Sequence, residues 1–384
     1  MIAVLGAGLI GLGIAYELAK RGADVRVFEA EEPGRAASWA AAGMLAPYTE
    51  GLAGTPFEAF CAASLALYPE YVAELREAGG VDARLRIDGV LHAACAEAEA
   101  ATLRARVSAA SARGVEAHWL ERGEALREEP ALGGRVIGGA LFSGEGQVDN
   151  RRLGRALAAA CAARGVRVDA AGGRVALEAD ARRVRGVRVR DGFVAASAVV
   201  NATGAWAGEL EGVPAHVRVP VVPVKGQMLA LALPRALMQR VVWVPGAYLV
   251  PREDGRLLIG ATVEDAGFDV RVTAGGVRGL LDAALAAVPA LRDLALVETW
   301  AGLRPGSADG LPYLGATALE GYFVAAGHHR NGVLLTPATA LEIADAIEGK
   351  PPSVAALPLS PARLGPPPLS PARLGSGVDC PVAS

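Results

Sequence analysis

The sequence predicts a chain of the α/β plus α+β class: a discontinuous, Rossmann-like nucleotide-binding domain with an inserted second domain built on an antiparallel sheet. Three observations carry this. The first thirty residues read as strand, glycine turn, helix and strand. Signals of the same kind return near residues 149–201 and 322–347 after long interruptions, and Val217 to Ala301 is rich in short strands separated by turn residues.

The opening stretch is MIAVLGAGLIGLGIAYELAKRGADVRVFEA. Ile2 to Leu5 suit a buried strand, Gly6, Gly8 and Gly11 give G-x-G-x-x-G, an apolar-periodic helix runs to Gly22, and a second strand, Val25 to Phe28, ends on Glu29. Gly6 permits a tight turn, Gly8 lets backbone approach a pyrophosphate, and Gly11 lets the helix pack closely on the strand. The helix N-terminus offers free N–H groups and a partial positive charge, and Glu29 can accept from ribose hydroxyls. Glycine is one residue in eight here, so about 0.75 such triplets arise by chance in the chain. The weight therefore rests on the flanking strand, the helix and the acid 18 residues after Gly11. These residues leave NAD and FAD both open.

After Glu29 and Ala30 come a turn and SWAAAGMLAPY, whose small side chains around Gly43 let backbone lie against a flat ligand or a neighbouring helix. Phe57 to Ala78 reads as a long amphipathic helix, Arg86 to Ala94 as a strand, Glu97 to Arg113 as a helix, and Glu116 to Leu120 and Ile137 to Phe142 as strands. Asp149 and Asn150 cap a helix, Gly173 to Gly192 reads as a hairpin, and Ala198 to Asn201 is a buried strand running into Thr203 and Gly204, where backbone again can approach a ligand. PVVPVKGQMLALAL, RVVWVPGAYLVPR and GRLLIGATV supply antiparallel strands. Last, YFVAA leads into GHHRNGVLLTPATALEIADAIEG, a turn and a helix expected to begin near Asn331 to Val333 with a second anion-facing end. From Pro351 the chain turns to Pro, Ser, Leu and Arg and repeats PLSPARLG at 358–365 and 368–375, which predicts a disordered tail over 351–384.

Hydrophobic residues make up 52% of the chain, but the surplus is Ala, Gly and Val, and no stretch offers the roughly 20 strongly apolar residues of a spanning helix. The N-terminal run lacks a basic leader and is broken by glycine, so it reads as a strand and the expected compartment is the cytoplasm. A formal net charge of −3 with dispersed arginines argues against nucleic-acid and membrane partners. Cys61, Cys95, Cys161 and Cys380 are scattered, without metal-ligand spacing, and are expected to be structural thiols.

The returning segments carry a resemblance. SWAAAGMLAP, PVKGQML, YLVPREDGRLLIGAT, WAGLRPGSADGLPYLG and GHHRNGVLLTPATA stand in the order and spacing of the FAD-dependent amino-acid oxidase family, and the likeness runs from Met1 to about Gly349. It implies non-covalent FAD, an FAD-binding domain over 1–80, 145–218 and 300–350, a substrate domain over 81–144 and 219–299, and a homotetramer. Beside Gly6, Gly8, Gly11 and Ala30, it implies flavin contacts at Leu9, Ile10, Glu29, Ala37, Ser38, Ala42, Gly43, Met44, Val175, Thr203, Gly204, His328, His329, Arg330, Asn331, Gly332, Val333 and Leu334. Substrate contacts are implied at Tyr248, Arg304 and Arg330. Val263 departs from the longer apolar residue that such enzymes can carry.

The implied reaction is oxidative deamination of glycine, sarcosine and small D-amino acids to an imine and then a 2-oxo acid, ammonia and hydrogen peroxide, with oxygen as acceptor, in the service of thiamine thiazole synthesis. Arg304, expected in a Gly-Leu-Arg-Pro-Gly turn, takes the substrate carboxylate with its planar fork, and Tyr248 adds a phenolic hydrogen bond. Hydride leaves Cα with no protein base, so His328 and His329 are assigned to packing and backbone geometry. Lys225 reads as a structural turn or inter-domain ion pair ahead of an oxygen-activating cation. Two other readings stand beside this one: a D-amino-acid dehydrogenase passing electrons to a quinone, and an RNA-modifying or non-catalytic flavoprotein module.

Overall fold

In the computed structural model, which describes residues 1–51, 54–170, 173–234 and 237–364, all four residues of the first strand, Ile2–Leu5, are buried. A strand hidden on both faces belongs in the middle of a covered parallel sheet. The six strands lie in the order Tyr313–Ala316, Tyr322–Ala326, Ala198–Asn201, Ile2–Leu5, Val25–Phe28 and Arg167–Asp169, all neighbours parallel except the first pair. Ile2 and Val4 pack beneath the helices Leu9–Lys20, Pro56–Gly79, Asn150–Ala163 and Thr336–Ile347. Ala3 and Leu5 pack on the opposite face against a three-stranded antiparallel sheet, Ala176–Ala179, Val184–Val189 and Gly192–Ala195. The hairpin expected over 173–192 thus gains a third strand.

Two glycines are required by this packing. A Cβ on Gly6, at φ +100°, would lie 2.4 Å from the Ala202 carbonyl oxygen, and one on Gly11 would lie 1.9 Å from the Gly6 carbonyl oxygen. Asp149 caps the Asn150–Ala163 helix by accepting from the Arg152 amide at 2.9 Å.

The second domain is an eight-stranded sheet in the order Leu296–Gly306, Val222–Ala232, Arg256–Gly260, Ala247–Pro251, Val241–Val244, Val90–Ala94, Gly138–Phe142 and Ala117–Glu121, antiparallel except between Val241–Val244 and Val90–Ala94. Its alternation is clean. Leu229, Leu231, Val242 and Leu249 join the core around the Ala274–Ala287 helix, while Met228, Ala230, Trp243, Tyr248 and Trp300 face the nucleotide domain. The boundary expected at residue 300 falls inside a strand that runs to Gly306, so Arg304 belongs to this sheet and not to a turn. The Gly and Pro content suggested a turn, but this is an edge strand, where proline costs no inner ladder bond.

The tail expectation needs a further correction. Residues 353–364 dock on the nucleotide domain: Leu359 and Ala356 are buried in its core. Arg363 pairs with Asp309 at 2.7 Å, donates to Leu311 O at 2.8 Å and Pro312 O at 3.0 Å, and lies 4.0 Å over the Tyr313 ring. The first PLSPARLG copy therefore packs through one leucine, one proline and one arginine, which compositional reasoning overlooks. The second copy lies outside the described residues. No described helix is long and apolar enough to cross a membrane.

Truncation after Leu364 should leave thermal stability unchanged, whereas truncation after Lys350 should lose roughly 2 kcal/mol or more, the value of one buried leucine plus the arginine contacts. Denaturant midpoints of the two truncated chains check this. Equal midpoints would show that the docked segment contributes nothing.

Candidate active site

Between the two sheets runs a cleft of 1260 Å³, beyond the roughly 300–1,000 Å³ of an ordinary small-molecule pocket. Of the residues singled out in the sequence, Gly6, Gly8, Leu9, Ile10, Glu29, Ala30, Ala37, Ser38, Ala42, Gly43, Met44, Val175, Thr203, Gly204, His328 to Val333, Tyr248 and Arg304 all line it. Gly11 and Leu334 do not. Gly11 is buried against the Gly6 turn, and Leu334 is in the core with its carbonyl accepting from Ser64 Oγ at 2.7 Å. The helix expected near Asn331 to Val333 begins at Thr336, with Pro337 in its first turn. Its end is set back from the cleft, and the turn before it forms the wall.

At one end of the cleft Glu29 is held by the Ala7 amide at 2.8 Å and the Glu31 amide at 3.1 Å. Ser38 Oγ accepts from the Leu9 amide at 2.9 Å, and among the described residues the amides of Gly8 and Ile10 have no intrachain acceptor. Free amides at a helix N-terminus, a fixed carboxylate at the second strand's end and a cleft too large for one small molecule fit a dinucleotide.

In the middle lies the Ala42–Met44 loop. Gly43, at φ +68°, could carry no side chain, because a Cβ would sit 2.0 Å from Val148 O. Beneath it Arg252 is buried and makes four hydrogen bonds: Nη2 donates to Ala42 O at 2.7 Å and Asn150 Oδ1 at 2.9 Å, and Nη1 to Gln147 Oε1 at 2.8 Å and Val148 O at 2.9 Å. Burial among these neutral acceptors lowers its pKa to about 10.

At the far end the guanidinium of Arg304 lies flat on backbone. A Cβ on Gly226 would fall 2.4 Å from both its terminal nitrogens, and Nη1 donates to Thr262 O at 3.1 Å and Lys225 O at 3.3 Å. The Tyr248 ring occupies the space a Cβ on Gly260 would take, 2.6 Å from its hydroxyl. The His329 amide donates to Pro305 O at 2.9 Å and so ties the wall-forming turn to the Arg304 strand, with exposed Arg330 at the rim. Burial lowers the pKa of Arg304 and raises that of Tyr248, which stays a phenol. Burial holds His328 near pKa 3, and burial with Arg330 and Arg304 holds His329 near 4, so both are neutral at physiological pH. His328 Nε2 meets Thr339 Oγ1 at 3.1 Å.

Lys225 points away from the cleft. It is buried and pairs with Glu264 at 3.3 Å within its own sheet, which makes it a structural ion pair rather than an inter-domain one. Cys61, Cys95 and Cys161 are free thiols that do not line the cleft, and Cys380 lies outside the described residues. Sequence reasoning missed Glu50, Arg106, His92 and Trp243, all of which line the cleft. Only Glu50, six residues after Met44, carried a signal; Arg106 sits on a helix beside Arg104 and reads as surface.

A covered parallel sheet with a glycine-turned βαβ unit, facing an antiparallel sheet that presents an arginine and a tyrosine, defines a nucleotide-dependent oxidoreductase of two-domain type. The sequence profile described as FAD dependent oxidoreductase, DAO, matches residues 1–346, and the chain belongs to that family. The glycine oxidase of Geobacillus kaustophilus is 40% identical over 94% of this chain and 96% of its own length. The bifunctional protein ThiO/ThiG of Trichormus variabilis is 37% identical over 90% of this chain, which spans about half, 52%, of that protein. The crystal structure of the Geobacillus kaustophilus glycine oxidase superposes with a TM-score of 0.89 at 39% identity, covering 94% of this chain and 98% of the other. The chain is an FAD-dependent enzyme.

Glu145 steadies the segment that carries Glu50, accepting from the Tyr48 amide, from the Thr49 amide at 2.9 Å and from the Thr49 hydroxyl. Burial outweighs these bonds and pushes its pKa up to about 8. An unfolded glutamate ionises near 4.3, so between that pH and about 8 the folded chain holds an extra proton, and stability falls as pH rises. Glu145→Gln should remove a slope approaching about 1.4 kcal/mol per pH unit in that window. Urea midpoints at pH 5 and pH 8 measure it; parallel slopes in both proteins would mean that the carboxyl ionises normally.

Proposed function

We propose that this FAD-dependent enzyme oxidises glycine and similarly small amines and amino acids, sarcosine and small D-amino acids among them, with oxygen as acceptor. The observation that supports it most is the Arg304–Tyr248 pair, held at one end of a cleft whose other end carries the dinucleotide fingerprint. The names of the glycine oxidase and ThiO/ThiG relatives support the same substrate and a place in thiamine biosynthesis.

In this reading Gly6, Gly8, Leu9, Ile10, Glu29 and Ser38 hold the nucleotide half of FAD, and Ala42 to Met44 with His328 to Val333 hold the ring non-covalently. When bound, FAD accepts the hydride from Cα. Arg304 takes the substrate carboxylate, Tyr248 donates to it, and Arg330 closes the rim, which fixes the amine and Cα against the ring face. His328, buried, and His329, half-buried, are both neutral and leave the amine's proton to be lost to solvent. The site needs no general base. We also propose a cytoplasmic homo-oligomer, a tetramer: Leu296 and Val297 are exposed on the sheet's edge strand, and exposed Trp206 and Phe268 stack 5.5 Å apart.

Arg304→Ala should retain FAD yet raise the glycine concentration needed for flavin reduction by about tenfold or more, as loss of roughly 1.5–3 kcal/mol requires. Arg304→Lys should recover part of this, because an ammonium lacks the planar fork. Gly226→Ala, which displaces the guanidinium without touching its charge, should mimic Arg304→Ala. The measurement is anaerobic stopped-flow reduction by glycine, with an amine lacking a carboxylate as control. Equal losses on both substrates would make Arg304 structural and remove the basis of this reading.

A further inference from the structure

The row of side chains that carries Tyr248 continues past it. Trp243 stands opposite Tyr248 and His92 opposite Trp243 in the sheet register, with ring centroids 5.8 and 5.6 Å apart. All three line the cleft, so it extends beyond the Arg304 end as a side chamber. Trp243 Nε1 and His92 Nδ1 are buried there without a hydrogen-bond partner. Such atoms are costly unless a ligand or water completes them.

The opposite wall is the Glu97–Ser111 helix, which brings Leu103 and Arg106 to the chamber. Arg106 donates to Thr49 O at 2.6 Å and forms no ion pair among the described residues. Burial pulls its pKa down. Arg106 thus joins Arg304 and Arg330 among the guanidinium groups of the cleft, which Arg35 and Arg174 also line. The Glu50 carboxyl, whose pKa burial pushes up, and the Glu99 carboxyl line the cleft with them, and the Glu145 carboxyl, which burial pushes up to about 8, lies behind the lining. One substrate carboxylate at Arg304 leaves the Arg106 guanidinium without an ion-pair partner among the described residues, in a cleft that also presents two unsatisfied ring nitrogens. His92 is held near pKa 4 by burial and Arg106, so it is a neutral hydrogen-bonding partner there.

We propose that Arg106, His92 and Trp243 form a second, anion-accepting subsite, so that the enzyme favours amino acids with a further carboxylate, on the amine nitrogen or the side chain, over neutral analogues of equal length. This rests on the reading that Arg304 takes the α-carboxylate. The oxidation is unchanged; only the substrate class is extended.

The test is anaerobic reduction of the holoenzyme by two matched pairs: N-(carboxymethyl)glycine against N-ethylglycine, and D-glutamate against D-norvaline. Reduction efficiency should favour the dicarboxylate by about tenfold or more in one pair, and the favoured pair tells nitrogen from side-chain placement. Arg106→Met should cut that ratio at least fivefold. Trp243→Phe, which keeps the ring and deletes one donor, should lower it about threefold, and it serves if Arg106→Met does not fold. Neutral analogues equal to the dicarboxylates in both pairs, or a ratio that survives both substitutions, overturns the subsite. Glycine is run alongside: if it fails to reduce the flavin, the parent reading falls, whereas active glycine without a dicarboxylate advantage removes this subsite alone.

Discussion

One buried guanidinium sets the relation between the two halves of this enzyme. Arg252 follows the Ala247–Pro251 strand of the antiparallel sheet, yet all four of its recorded acceptors, Ala42 O, Gln147 Oε1, Val148 O and Asn150 Oδ1, belong to segments outside that sheet. Each is neutral, so the desolvation is met by four well-formed bonds, with the charges of Asp149 and Asp254 acting on the guanidinium without direct contact. A lysine has neither the reach nor the fork to meet four acceptors in one plane. The lock fixes the loop before Gly43 against the sheet that carries Tyr248 and Arg304. Hydride transfer is steeply sensitive to such alignment. Trp300 Nε1 donating to Ala40 O at 3.0 Å, and Arg151 stacked 3.7 Å over Trp39 while pairing with Glu298, hold the same interface from its edge.

With the two sheets fixed, period-two alternation lays out the chemistry. Trp300, Met228, Gly260, Tyr248, Trp243 and His92 follow one another across six strands in a single register row. Every second residue of those strands turns away into the core around the Ala274–Ala287 helix. Two glycines, one in the row and one beside it, leave gaps that polar side chains fill. Gly260 makes room for the Tyr248 ring and Gly226, a strand neighbour, makes room for the Arg304 guanidinium, so each polar group lies flat where a side chain would lift it. A slip of one residue in Val222–Ala232 would turn Met228 into the core and bury the wrong face.

What the sequence disclosed was local. Gly6, Gly8, Gly11 and Glu29 fall within thirty residues, and their spacing states their geometry. Strand alternation around Tyr248 was legible for the same reason. Arg304 was singled out in the wrong setting, because Gly302 and Pro305 read as turn residues although the first avoids a clash with Ala40 Cβ and the second sits on a sheet edge. Arg106 and His92 were illegible: their meaning comes from meeting across the cleft, and nothing within ten residues of Arg106 distinguishes it from an exposed helix arginine. The docking of Leu359 and Arg363 was hidden likewise, because a low-complexity stretch buries enough with one leucine when a groove exists to receive it.

The electrostatics of the cleft suit the proposed reaction, which assigns no acid–base residue. Burial keeps His328, His329 and His92 neutral and keeps Tyr248 protonated, so the histidine and tyrosine side chains there donate and accept hydrogen bonds without changing charge near neutral pH. The guanidinium groups then dominate. In the proposed reaction their field would draw in the carboxylate of a zwitterion and disfavour its ammonium, so that the amine would shed its proton on binding. The Glu50 carboxyl, whose pKa burial raises, lines the same cleft. On that proposal, positive charge and orientation would do together what a general base does elsewhere.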